Sequence, residues 1–212
     1  MTLSRRALLL APLVPALLPL APRRARADDD PRMAERAIGQ AGAPVTVREY
    51  FSLTCPHCAR FAQETLPQIH KDLIDTGKLR YVYEDFPLDQ VALTAAMVAR
   101  ALPPARYEPF VLALLASQDR WAFARDVNTT EEIGKMAALA GMPHETFDKT
   151  IADEKLRDAI LTAQDQAEKR YHVDSTPTFI FSGPAQKDRH ESGEMTYDAF
   201  AKVVAEVGGA TG

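Results

Sequence analysis

The 212-residue chain carries 25 Lys and Arg against 29 Asp and Glu, a formal charge of −4, and 46% of its residues are hydrophobic. That is enough apolar material for the core of one ordinary domain, and no low-complexity tract or internal repeat points to a fibrous or disordered chain. The acid excess speaks against a nucleic-acid partner, and two cysteines are too few for a four-cysteine structural metal site.

Met1 to Ala27 reads as an export signal rather than as fold. Arg5 and Arg6 precede an apolar run from Ala7 to Ala21. Pro12, Pro15 and Pro19 break that run, which is too short for a membrane span. Ala25-Arg26-Ala27 supplies the small-x-small pattern of a cleavage site near Ala27. Ser4-Arg5-Arg6 resembles a twin-arginine signal, although Ala7 and Leu8 stand where stricter versions carry a polar residue and Phe, so both export routes stay open. An uncleaved N-terminal anchor is the alternative. Loss of the segment's five arginines leaves 20 of the 25 basic residues against 29 acidic ones, a formal charge of −9. Two cysteines in an exported protein can persist as a disulfide, and the bacterial periplasm fits.

Residues 28–43 form a polar N-terminal extension with a short helical stretch expected around Met33 to Ile38. Val45 to Leu53 is rich in β-formers and reads as a strand. Glu49 interrupts its apolar pattern six residues before Cys55. A carboxylate there is either an exposed edge residue or a buried proton acceptor with a raised pKa. The strand runs into Cys55-Pro56-His57-Cys58 and then a helical pattern, Phe61, Leu66 and Ile69, with a kink anticipated at Pro67. A thiol at a helix N-terminus meets unpaired N–H groups and the positive end of the helix dipole, which favours the reactive thiolate. Pro56 suits the first helical position, and His57 can add positive charge or a donor beside the sulfur. Half of a metal site and a structural disulfide are the rival readings. The first lacks further ligands, and the second would close a loop too short to restrain the unfolded chain much.

Val45 through Phe61 resembles the active-site segment of the DsbA-like thiol:disulfide oxidoreductases. The resemblance implies an α/β thioredoxin fold, a central mixed β-sheet flanked by helices, with an inserted α-helical subdomain. Residues 44–89 would be the first half of that fold, 90–170 the insertion and 171–208 the second half. It also favours the buried-acceptor role for Glu49.

Leu79 to Phe86 alternates as a second strand, and Phe86-Pro87-Leu88-Asp89 resembles the turn that follows it in that family. From Leu93 onward the chain lacks strand patterning. Helices are expected over Leu93–Leu102, Tyr107–Ser117, Thr130–Ala140, His144–Ile151 and Glu154–Tyr171. Thr129 and Glu132 make a capping box, preferred over a glycosylation site at Asn128. Trp121 and Phe123 read as core, and His70 as a solvated residue. Many relatives carry a second cysteine pair in these helices, but near Ala101 and Thr150 this chain has none. Thr176-Pro177 heads a β run, Thr178 to Phe181. In thioredoxin folds this peptide bond is cis and packs on the Cys-x-x-Cys, where the Thr176 backbone can pair with an extended substrate. Ser182 to Gly193 reads as a hairpin with His190 in its loop, and Tyr197 to Val207 as a closing amphipathic helix.

The expected activity is a dithiol oxidase whose catalytic residues are Glu49, Cys55, Pro56, His57 and Cys58, with Thr176 and Pro177 binding substrate. No cofactor is implied beyond the Cys55–Cys58 disulfide. A substrate thiolate would attack an exposed Cys55 sulfur, with Cys58 more buried. The partners would be reduced or unfolded exported proteins and a membrane reoxidant. Residues 28–42 are too short for the N-terminal dimerisation domain of some related isomerases, which favours the oxidase, and a monomer is expected. A disulfide isomerase or reductase of the same fold is the first alternative, and a non-enzymatic binding module or chaperone the second.

Overall fold

The computed structural model describes residues 30–209, so the segment Met1–Ala27 read as an export signal lies outside the described residues. A 3₁₀ turn, Pro31–Met33, leads into strand β1 (Arg36–Ile38). Strand β2 (Val45–Phe51) feeds an irregular helix. This helix is built of α1 (Pro56–Arg60), a π turn (Phe61–Thr65), α2 (Leu66–Ile69) and a second π turn (His70–Ile74). Strand β3 (Leu79–Asp85) is followed by helices α3 (Gln90–Ala101), α4 (Pro104–Leu115), α5 (Gln118–Trp121), α6 (Thr129–Leu139), α7 (His144–Ile151) and α8 (Glu154–Tyr171). Strands β4 (Thr178–Ser182) and β5 (Arg189–Ser192) and helix α9 (Tyr197–Gly208) close the chain.

Among the described residues the sheet has five strands in the order β1-β3-β2-β4-β5. Strands β2 and β3 are parallel, and the other neighbours are antiparallel. This mixed sheet flanked by helices is the α/β architecture anticipated from the sequence. The central strand β2 is buried on both faces. Val47 stands opposite Tyr81 and Phe181 on the face covered by the first helix and α9. Tyr50 lies on the other face with Ile180, beneath Ala167 of α8. Pro67 cannot donate to the helix ladder and would crowd the carbonyl four residues back. The widened turns on either side of α2 relieve that conflict.

Several local expectations change. Residues 36–38 form β1 on the outer edge of β3, Arg36 opposite Tyr83, instead of a helix reaching back to Met33. Six residues cannot sustain a helix in water, whereas ladder bonds to a preformed edge are available. Gly39 then turns the chain at φ +85°, where a Cβ would meet the Leu79 carbonyl oxygen at 2.6 Å. Asn128, not Thr129, caps α6, its Oδ1 accepting from the N–H groups of Thr130 and Glu131. His70 is only 30% exposed and shares Glu108 Oε1 with the Tyr83 hydroxyl, each at 2.9 Å. Trp121 is core, but Phe123 is 54% exposed, because α5 ends one turn too early to bury both. His190 is exposed on β5 rather than in a loop. Replacing the cap, Asn128→Ala, should cost about 1 kcal/mol and lower the melting temperature by about 2–4 °C, as thermal unfolding followed by circular dichroism would show.

The helical elements are tied to the sheet by one buried ion pair. Arg100 of α3 bonds Asp85 at the end of β3, and each side chain is 3% exposed. The Tyr107 hydroxyl of α4 donates to the other Asp85 oxygen at 3.0 Å. The Arg100 guanidinium also donates to the Ala34 carbonyl. Three separate stretches of chain therefore meet where β3 leaves the sheet.

Candidate active site

Cys55 is the N-cap of α1, with extended backbone angles, φ −85° and ψ 118°. Pro56 takes the first helical position, where its missing N–H leaves no carbonyl unpaired. The Cys58 N–H points back at Cys55 Sγ, 3.4 Å away. Both cysteines are free thiols in this structure. From the far end of the sequence, the Thr176 carbonyl oxygen lies 3.3 Å from Cys55 Sγ, a distance at which the thiol donates to it. The Thr176–Pro177 peptide bond is cis. Cys55 is 5% exposed and Cys58 fully buried. Cys55 is thus more covered than an open nucleophile would be, because the Thr176–Pro177 segment lies over it.

The two sulfurs differ sharply in proton affinity. The Cys58 thiol donating toward Cys55 draws the Cys55 pKa down most, against the opposing effect of burial. The Thr176 side-chain hydroxyl and the backbone N–H groups of Cys58 and His57 add to it, and Cys55 falls to about 5. Burial pushes the Cys58 thiol well above its ordinary value, and the neighbouring Cys55 sulfur and Glu49 charge raise it further. A helix N-terminus can favour only the sulfur at its cap, and that asymmetry follows directly.

Glu49 is 4% exposed on β2. Burial raises its carboxyl to about 7, against the pull of the Tyr81 hydroxyl, which donates to Glu49 Oε2 at 2.6 Å. Glu49 and both cysteines therefore share one electrostatic neighbourhood. The His57 ring is engaged by Glu194: its Nδ1 lies 3.2 Å from Glu194 Oε2, and its side chain is 62% exposed.

Three further residues hold this arrangement, and the sequence offered no motif for two of them. Gln118 of α5 donates through Nε2 to the carbonyls of Leu53 (2.8 Å) and Cys55 (3.1 Å) and is itself 7% exposed. Glu194 fastens the loop before α9 to His57 and to Arg60 Nε, 3.4 Å away. The third, Asp89, caps α3 and accepts from the Thr54 hydroxyl at 2.7 Å. Its place in the Phe86–Asp89 turn was the one legible hint.

Residues 32–205 match the family model described as Thioredoxin. A Rickettsia prowazekii protein designated a protein-disulfide oxidoreductase is 30% identical over 150 residues, 70% of this chain and 54% of that protein. The chain spans about half the length of the curated relatives it matches. The crystal structure of Wolbachia pipientis alpha-DsbA1 is similar, with a TM-score of 0.76, 28% identity, and coverage of 84% of this chain and 92% of that one. The oxidised Bacillus subtilis BdbD shares the fold, with a TM-score of 0.71 at 20% identity, over 82% of this chain and 93% of that one.

Proposed function

The chain belongs to the thioredoxin family, among its DsbA-like thiol:disulfide oxidoreductases, and from that premise we propose that it is an exported dithiol oxidase. The observation that carries this reading is the split between a Cys55 thiol lowered to about 5 and a buried Cys58 thiol raised above its ordinary value. A sulfur anion stabilised at Cys55 is a good leaving group and favours the reduced enzyme, which makes the disulfide oxidising. DsbA itself is the familiar example of that relation in thiol chemistry, and in this chain it rests on the groups named above.

A substrate thiolate attacks Cys55 Sγ, the Cys55–Cys58 bond breaks, and the electron pair leaves on Cys58. Cys58 then takes a proton, for which Glu49, poised near neutrality, is the buried donor. A second substrate thiolate attacks the substrate sulfur of the mixed disulfide and releases Cys55 as thiolate. The substrate ends oxidised and the enzyme as dithiol. Reoxidation reverses the Cys58 proton transfer, with Glu49 as base, and calls for a reoxidant that accepts two electrons. The reading of Met1–Ala27 supports work in the periplasm. Among the described residues no helix is long and apolar enough to cross a membrane.

The test is a thiolate titration of Cys55 by ultraviolet absorbance, paired with equilibration against glutathione. An apparent pKa near 5 and an oxidising equilibrium are expected. A pKa near that of a free thiol removes the basis for the oxidase. Refolding of scrambled ribonuclease separates the isomerase reading, since an isomerase restores activity and a plain oxidase hardly does.

The same shift makes the reduced fold pH-dependent. A thiol whose folded pKa lies below its unfolded value stabilises the fold above the unfolded pKa, and this gain is lost as pH falls through about 5. From pH 5 to pH 7 the limit is about 2.7 kcal/mol, and partial solvent screening reduces it to about 1–2 kcal/mol. The melting temperature of reduced protein should therefore rise by about 3–6 °C relative to oxidised protein over that interval. Parallel scans of the two forms would check this, and an unchanged gap would contradict it.

A further inference from the structure

A cleft of about 590 Å³ opens between α8, strands β2 to β4 and the loop at Lys187 and Asp188. It lies against the smaller core of Tyr50, Ala167 and Ile180, whereas both cysteines belong to the larger one. That volume is within the range of small-molecule sites, which are built of apolar walls with a few converging polar groups. The floor here is Ile180, Ala167 and the tilted rings of Tyr50 and Tyr171, centroids 6.1 Å apart. Tyr50 is 6% exposed, yet its hydroxyl has no hydrogen-bond partner among the described residues. That atom is not sealed from solvent, so a ligand in the cleft can reach it. Burial pushes the phenol well above its ordinary value, with the Glu84 charge adding to the shift, so it stays protonated and can donate. Arg48 and Arg170 oppose the shift, which puts both guanidiniums in its neighbourhood. Three cations and two carboxylates line the cleft, one positive charge in excess, in a chain whose formal charge is −4. Arg48 is committed to Glu84 and Glu35, and Asp188 accepts from the Ser182 hydroxyl. Arg170, 4.8 Å from the Tyr171 ring centroid, and Lys187 on the facing loop pair with no carboxylate among the described residues.

We infer that this cleft binds an organic carboxylate with a planar apolar body, at a site separate from the redox centre. The body would lie on the Tyr50 and Tyr171 rings and Ile180. The carboxylate would take donors from Arg170, Lys187 and the Tyr50 hydroxyl. A carboxylate has acceptors only, and these three groups are the donors that the protein itself leaves without an acceptor. The guanidinium fork matches the two carboxylate oxygens, a fit that a neutral amide lacks. The aromatic floor supplies contact area beside those donors at little cost in side-chain freedom. A second negative charge on the ligand would meet Glu84 and Asp188, so a single charge fits best. The inference does not depend on the chemistry of Cys55 and Cys58, so its failure and that of the oxidase reading are independent.

The experiment titrates the isotope-labelled protein, after removal of the signal, with naphthoate and follows its amide resonances by NMR. Binding should saturate and should move the amides of Tyr50, Tyr171 and Ile180 more than those of Cys55 and Cys58. Two controls separate the halves of the site. Naphthamide has the same body without the charge, and acetate has the charge without the body. Each should bind at least about tenfold more weakly than naphthoate at low salt. The double variant Arg170→Gln/Lys187→Gln should lower naphthoate affinity about tenfold and leave naphthamide little changed. Tyr50→Phe keeps the ring and should lower naphthoate affinity about threefold. Equal affinity for naphthoate and naphthamide, or shifts centred elsewhere, would overturn the site. Acetate binding as tightly as naphthoate would overturn it too, as general attraction of anions. These wild-type comparisons decide it even if a variant does not fold.

Discussion

Cys55→Ser should lower oxidation of a reduced dithiol substrate by more than about a thousandfold, to the uncatalysed rate, while the fold persists. Serine at the N-cap is as good a cap as a thiol, so α1 keeps its start and melting should change little. What disappears is the atom that the substrate attacks and that later leaves as a stabilised anion. Cys58→Ser should fail differently. Cys55 stays in its environment of N–H donors, but no partner sulfur can close the disulfide or resolve an adduct. That variant should collect mixed disulfides with glutathione or substrate, visible by mass spectrometry. Replacing Cys58 also takes away the thiol that lowers Cys55 most, so the Cys55 thiolate titration should move upward. A binding module using the same groove would keep its activity in both variants. Full turnover by Cys55→Ser would refute the role assigned to this sulfur.

Glu49→Gln should raise stability above neutral pH by up to about 3 kcal/mol, or about 5–10 °C, while slowing turnover by about ten- to a hundredfold. The carboxyl ionises near 7 in the fold and near 4.5 unfolded, because burial penalises its charge. Between those values the folded chain holds a proton that the unfolded chain has released. Stability therefore falls as pH rises from about 4.5 to 7, and the whole penalty is present above that window. A neutral amide has nothing to titrate, so in the oxidised protein, where Cys55 has no thiol to titrate, the slope should vanish in the variant. Its Oε1 can still accept from the Tyr81 hydroxyl, which limits the disturbance. Denaturant melts at about pH 5, 6, 7 and 8 would measure this, and a wild-type slope surviving in the variant would place the titrating group elsewhere. Loss of stability with gain of proton-transfer rate is the pattern expected of a group placed for chemistry.

Much of this could be read from residue order alone, because the forces involved are local. Strand, cap and thiol follow one another over Val45–Cys58, and a helix start favours an anion whatever packs around it. Glu49 stood out as an acid in an apolar strand, since charge on a central strand is expensive. Helices α7 and α8 had the bounds His144–Ile151 and Glu154–Tyr171 in the sequence as in the structure, since their patterns run between clear stops. Tertiary structure alone decided what depends on distant partners. It made residues 36–38 a strand by offering them the edge of β3, and brought the Thr176 carbonyl to Cys55 across 121 positions. It turned the His57 ring toward Glu194, and set Gln118 of a four-residue helix against the Cys55 carbonyl. A short helix leaves no periodicity to read, and a hydrogen bond between remote residues leaves no spacing. Such contacts exist only once the sheet and the helices have closed on one another.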